Sequence, residues 1–313
     1  MSKNKFCSIV SKESREPIAG SAPFAEHFVF VSWPKKFWGF EAMEAKGGFP
    51  KGLKAWMKEN SKTFGKISIK LVNRSDTNNK MSDIFIYPGK YIYSNVNPDN
   101  IPRILDSHFQ QGLRFPNSLK KFNNDQIFIC THGRHDKCCS KFGQKLAIKM
   151  HDYVKKQNLN LEIWESSHLG GHRFAATLID FPKGYSYGRM TPEEIPFFFE
   201  YRNANKIYIP AYRGSVFLTE LEKVAEANVQ HYCFAKKWLC NLEINNIGIV
   251  SENKFNCIAK FNDANNLIRI DEEFPKELKF SFVLKEFKNA SSCDSIENPE
   301  LRKCWEMELP DDI

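Results

Sequence analysis

Residues 127–139 read Ile127-Phe128-Ile129-Cys130-Thr131-His132-Gly133-Arg134-His135-Asp136-Lys137-Cys138-Cys139, and residues 164–173 read Trp164-Glu165-Ser166-Ser167-His168-Leu169-Gly170-Gly171-His172-Arg173. Each block leaves an apolar run of strand character and enters a polar loop rich in cysteine or histidine. Between them, Phe142, Leu146, Met150 and Val154 recur at four-residue steps, which predicts a helix over 140–157. Thiol and imidazole donors therefore stand at the ends of two neighbouring strand candidates. That donor pair suits zinc or iron–sulfur chemistry and does not suit magnesium or calcium.

The donors differ in kind. Cys138 and Cys139 open the predicted helix, where free N–H groups and positive potential lower a thiol's pKa and stabilise anionic sulfur. His168 and His172 form an H-x3-H, and Gly170-Gly171 between them predicts a tight loop that lets two rings converge. His132 and His135 read as hydrogen-bonding loop residues. Asp136 is placed to accept from loop N–H groups, and Arg173 to sit beside the site as a cation. Cys7, Cys233, Cys240, Cys257, Cys293 and Cys304 lack ligand spacing near a histidine pair and read as structural or free thiols.

The surrounding chain divides into four. Residues 1–22 form a polar entry segment. Residues 23–120 carry strands at 27–33, 66–72, 83–88 and 90–94, a helix near 51–64 and another at 101–109 behind an Asn97-Pro98 cap. Residues 121–204 repeat the order: strands at 125–130, 159–164, 174–181 and 185–187, the helix at 140–157, and a helix opened by Thr191-Pro192. Both units read β-α-β-β-β-α, which predicts an α/β (α+β) chain of two thioredoxin-like units with mixed central sheets. Residues 205–313 add a helix at 215–237 and an antiparallel extension, with strands near 243–250, 255–261, 267–271 and 278–285, then an irregular stretch at 289–300.

Composition narrows the function. The 313 residues are 42% hydrophobic and 26% charged, as in ordinary globular proteins. The net charge of +8 is scattered without a basic run, which argues against nucleic acid as a partner. No apolar stretch approaches the ~20 residues of a bilayer span and no signal-peptide core follows Met1, so no membrane partner and a cytoplasmic location are expected. Nine unevenly spaced cysteines fit metal ligands or reduced thiols better than a disulfide framework.

The two central blocks, with Gly20-Ser21-Ala22-Pro23 and Tyr212-Arg213-Gly214, closely resemble the sucrase/ferredoxin-like family. The resemblance implies that the second unit is a thioredoxin-like ferredoxin domain whose 2Fe–2S cluster is held by Cys130, Cys139, His168 and His172. Cys138 is the alternative ligand; the family's Asp-to-Cys spacing favours Cys139. The first unit is expected to lack a metal. A sucrase activity would need two carboxylates flanking a glycosidic bond, and none stand out, since Glu193 and Glu194 read as first-turn helix acids. Three functions stay open: an electron carrier with protein redox partners, feasibly the electron-accepting component of an oxidoreductase; a zinc-holding scaffold with the same four donors; and a thiol–disulfide protein, which would lack the usual C-x-x-C.

Overall fold

In chain order the elements are α1 (Cys7–Glu13), β1 (His27–Ser32), α2 (Leu53–Asn60), β2 (Ile67–Asn73), β3 (Ser82–Tyr87), β4 (Tyr91–Val96), α3 (Ile101–Gln110), β5 (Leu119–Lys121) and β6 (Asp125–Cys130). There follow α4 (Gln144–Lys156), β7 (Leu161–Ser166), β8 (Leu178–Phe181), β9 (Tyr185–Tyr187), α5 (Ile195–Asn203), β10 (Tyr212–Ser215) and α6 (Glu220–Ala235). The last four are β11 (Asn241–Ser251), β12 (Lys254–Asn262), β13 (Glu277–Asn289) and β14 (Glu300–Glu308). This computed structural model describes residues 6–110, 119–121, 124–238, 241–262 and 276–308.

Ten strands share one mixed sheet in the order β10-β9-β8-β6-β7-β2-β1-β3-β4-β5, and β11 to β14 make a separate antiparallel sheet. Within the large sheet, β1 and β2 are parallel, with β3 and β4 antiparallel beside β1. β6 and β7 repeat the parallel pair, with β8 and β9 beside β6. Each half is thus a βαβ followed by a ββα, the thioredoxin-like order. The halves join where β2 meets β7, through the pairs Val72–Ser166 and Asn73–Glu165 and through Ser167 N–H donating to Leu71 O at 2.7 Å.

That narrow joint bends the sheet. Three strand steps separate β1 from β6, so at ~4.8 Å each a flat sheet would hold Phe30 and Phe128 roughly 14 Å apart. Their rings instead stack with centroids at 3.7 Å, and Tyr87 stacks on Phe181 at 4.0 Å. The two half-sheets therefore fold face to face over a shared aromatic core of Phe28, Phe30, Phe85, Phe128, Trp164 and Phe181. Alternation along each strand follows from this arrangement: Val29 and Val31 turn to α2 and α3, and Ile127 and Ile129 turn to α4 and α5. Cys130 and Cys139 line the edge of the shared core.

Local signals held where the chemistry is local. The Asn97 side chain accepts from Asp99 N–H, and Thr191 with Glu194 closes a capping box before α5. Elements that depend on distant partners depart from the expectation. The entry segment contains α1; residues 174–177 are not strand; Tyr212–Ser215 is a strand and the next helix starts only at Glu220. The strand expected near 267–271 lies outside the described residues, and the fourth strand of the small sheet is Glu300–Glu308.

One packing contact makes stability pH-dependent. Burial pushes the Glu226 carboxyl on α6 up to about 8 from 4.5, while the Tyr212 hydroxyl, donating to Oε1 at 3.2 Å and Oε2 at 3.1 Å, pulls it down. A folded-state pKa above the unfolded one gives stability that is full below about pH 4.5 and lost as pH rises through about 8. Glu226→Gln, which keeps an acceptor for Tyr212, should flatten that slope and exceed the wild type at pH 9 by on the order of 2 kcal/mol. Denaturant midpoints across pH check it, and parallel curves for the two proteins would contradict it.

Candidate metal centre

Cys130 and Ser166 lie side by side at the C-terminal ends of the parallel strands β6 and β7. Parallel neighbours deliver their following loops to the same end of a sheet, so the cysteine loop and the histidine loop meet. The cysteine loop turns on bonds from His135 N and Asp136 N to His132 O, and from Cys139 N to Asp136 O. The histidine loop is shaped by Gly170 and Gly171, at φ 93° and 77°. A β-carbon on Gly171 would lie 2.4 Å from Nη2 of Arg213. That buried guanidinium donates to Gly170 O at 3.1 Å and to Ser21 Oγ at 3.0 Å, pinning the loop to the entry segment.

Within this junction Nδ1 of His168 lies 3.8 Å from Cys139 Sγ and 4.0 Å from Cys130 Sγ. These three donors all fall within 4.8 Å of one another. The Cys139 thiol, and then His168, hold Cys130 well below its usual range, whereas contact with Cys130 and burial raise Cys139. Burial takes His168 down to about 4, so its ring is neutral at physiological pH and ready to ligate. His132 is no competitor: Nε2 donates to Gly39 O at 2.8 Å and Nδ1 accepts from His168 N–H at 3.3 Å.

His172 stands one ring further out, with its centroid 5.1 Å from that of His168. Its Nε2 bonds to Ser291 O, an acceptor only, which leaves Nδ1 as the lone-pair nitrogen. Nδ1 is buried with no hydrogen-bond partner. The Ser166 hydroxyl, level with Cys130, is likewise buried and unpartnered. Two thiols, two imidazoles and two orphaned polar atoms in one junction fit a bound soft-metal group.

The predicted residues separate into two places. Cys130, Cys139 and His168 converge, and His172 reaches that group through His168. Cys138 turns away: its Sγ contacts Cys7 Sγ at 3.4 Å and Cys293 Sγ at 3.3 Å. Asp136 does accept a loop N–H, from Cys138 at 2.7 Å, and also one from Cys293 at 3.0 Å. Arg173 pairs with buried Glu16 at 2.6 Å, and Arg213 is the cation that positions the histidine loop. His135, read as a loop hydrogen-bonder, instead stacks on His168 at 3.9 Å and could join a trio with His168 and His172. Its three-residue offset from His132 was the available signal. Glu194 is committed to its cap.

Known proteins resemble parts of the chain. "Altered inheritance of mitochondria protein 32" of Debaryomyces hansenii is 33% identical over 76 residues, which is 23% of this chain and 28% of that protein. The protein of the same name from Clavispora lusitaniae is 29% identical over 76 residues, with the same coverage. The chain thus spans little more than a quarter of these curated relatives. Among solved structures, a thioredoxin-like 2Fe–2S ferredoxin from Aquifex aeolicus superposes with a TM-score of 0.27 at 12% identity, covering 30% of this chain and 94% of that one. The wild-type form gives 0.26 at 10% identity over 29% and 97%. Among the described residues no helix is long and apolar enough to cross a membrane. The sucrase/ferredoxin-like family model matches residues 18–214, which includes both site loops and Arg213 and exceeds half of the 313 residues, so the chain belongs to the sucrase/ferredoxin-like family.

Proposed function

We propose that the chain is a one-electron carrier whose 2Fe–2S cluster is held by Cys130, Cys139, His168 and His172. The observation that carries this reading is the convergence of both sulfurs with Nδ1 of His168, beside the orphaned Nδ1 of His172. When bound, the cluster accepts and returns one electron. The protein's part is to bring the four ligands together, keep water from the sulfurs and manage one proton. Cys130 and Cys139 sit on the aromatic core, which shields them. Nδ1 of His168 faces the sulfurs, so Nε2 is its nitrogen for proton exchange. His172 has its Nε2 tied to Ser291 O and is the poorer proton donor. Negative charge added beside His168 raises its proton affinity and couples electron uptake to proton uptake.

Anaerobically purified chain should be red-brown, with about two irons and two sulfides. Its midpoint potential should lie above the roughly −400 mV of plant-type ferredoxins, because two ligands are neutral, and should fall as pH rises past the oxidised-state pKa of His168. A colourless chain with zinc in place of iron, even after reconstitution, would refute the redox reading. A potential flat across pH would remove the proton role of His168.

A further inference from the structure

The second place where the structure gathers cysteines lies on the opposite side of the Asp136–Cys139 turn. Cys7 comes from α1, Cys138 from the turn, and Cys293 from the connection between β13 and β14. Their sulfurs form a triangle with sides of 3.4 Å (Cys7–Cys138), 3.3 Å (Cys138–Cys293) and 3.7 Å (Cys7–Cys293). Oδ1 of Asp136 lies 3.2 Å from Cys293 Sγ and 4.0 Å from Cys7 Sγ, and all four donor atoms fall within 4.8 Å of one another. Cys7 and Cys138 are fully buried and Asp136 nearly so.

We propose that Cys7, Cys138, Cys293 and Asp136 form a structural zinc site, separate from the centre described above. Tetrahedral zinc with Zn–S of about 2.3 Å and Zn–O of about 2.0 Å puts neighbouring sulfurs about 3.8 Å apart and oxygen about 3.5 Å from sulfur. The three S–S edges, 3.3 to 3.7 Å, fall just short of that spacing, and the two O–S distances, 3.2 and 4.0 Å, bracket theirs, so a small expansion of the sulfur triangle admits the ion. A disulfide could pair only two of the three sulfurs and would leave the third thiol and the carboxylate buried together. Zinc satisfies all four donors: three S–H bonds lose their protons to solvent, three Zn–S bonds and one Zn–O bond form, and nothing is oxidised or reduced.

The surroundings are those of a ligand shell. Ser8 donates to Cys138 Sγ from its backbone N at 3.5 Å and its hydroxyl at 3.3 Å, which supports a thiolate there. The Asp136 carboxylate is oriented by N–H bonds from Cys138 to Oδ1 and from Cys293 to Oδ2. These donors come from three segments 129 to 286 positions apart, so the metal would clamp the entry helix and the 290–296 connection onto the cysteine loop. That connection also carries Ser291, the hydrogen-bond partner of His172.

Metal analysis of the full-length chain, isolated with reduced thiols, tests the assignment. Wild type should contain about one zinc. The zinc should persist in Cys130→Ser, which disables the other centre whatever that centre binds. In Cys7→Ser and Cys293→Ser zinc affinity should fall roughly tenfold or more while the visible spectrum of the other centre is kept. Should either serine variant misfold, cobalt(II) added to the metal-free Cys130→Ser chain reads the trio directly, as thiolate charge-transfer and tetrahedral d–d bands. Zinc that vanishes with Cys130→Ser yet survives Cys7→Ser and Cys293→Ser would overturn the proposal. So would a freshly isolated chain with a disulfide within the trio and no zinc, or a reduced chain that takes up neither metal.

Discussion

Cys139→Ala should yield a chain that retains almost no iron, whereas Cys138→Ala should keep the red-brown spectrum. The two residues are adjacent, and on a helical turn adjacent side chains point about 100° apart. Cys139 Sγ is 3.8 Å from Nδ1 of His168 on the edge of the aromatic core. Cys138 Sγ faces Cys7, Ser8 and Cys293 instead. Removing Cys139 strips one of the two sulfurs from a buried site that has no other thiol within reach among the described residues. Cys130→Ala and His168→Ala should fail in the same way. The outer ligand is tested by contrast: His172→Ala should lose the cluster and His135→Ala should retain it, although His135 stacks on His168. Iron and sulfide content with the electron paramagnetic resonance of the reduced protein reads all six variants. If Cys138→Ala bleaches the protein and Cys139→Ala does not, the assignment of the neighbours is reversed. If His135→Ala bleaches it and His172→Ala does not, His135 is the fourth ligand.

The sequence made this much of the site legible because its geometry is largely local. Apolar runs ending at Cys130 and Ser166, the four-residue steps of α4 and the Gly170-Gly171 turn all lie within 47 consecutive positions, 127–173. Periodicity tells which face of an element is buried, but not what buries it. Cys7 and Cys293 looked like stray thiols because their partners are 129 residues or more away. Arg173 sits next to His172 in sequence and was expected beside the site, yet buried Glu16 claims it. Arg213, forty residues downstream of that region, holds the histidine loop. The bending of the large sheet was equally hidden, since it depends on the short joint between β2 and β7. Short β10 and α1 carry too few residues for a pattern to show, and contacts with Tyr187 and the cysteine loop stabilise them.

Gly143→Ala should cost about 3 kcal/mol or more in stability and empty the iron site, against what helix propensity alone would predict. Gly143 has ordinary helical angles, φ −68° and ψ −40°, at the junction of a π-helical turn (Cys139–Gly143) with α4. At such a position alanine normally gains up to about 1 kcal/mol over glycine. Here an added β-carbon would lie 1.8 Å from the carbonyl oxygen of Cys130 and 3.0 Å from its carbonyl carbon. Both are backbone atoms, so no side chain can rotate aside; either the helix start or the end of β6 must move. The helix start carries Cys139 and the strand end carries Cys130, so relief of the clash separates the two sulfurs. The wide π turn and the missing side chain together let the helix close onto the strand, which is how ligands nine positions apart come to face one histidine. Gly248 offers the control: it is exposed, nothing lies within 4 Å of a β-carbon there, and Gly248→Ala should leave both stability and iron content unchanged. Denaturant midpoints and iron content of the two variants decide the matter. A Gly143→Ala protein as stable as wild type, with its iron in place, would show that strand and helix are not held at the separation on which the site depends.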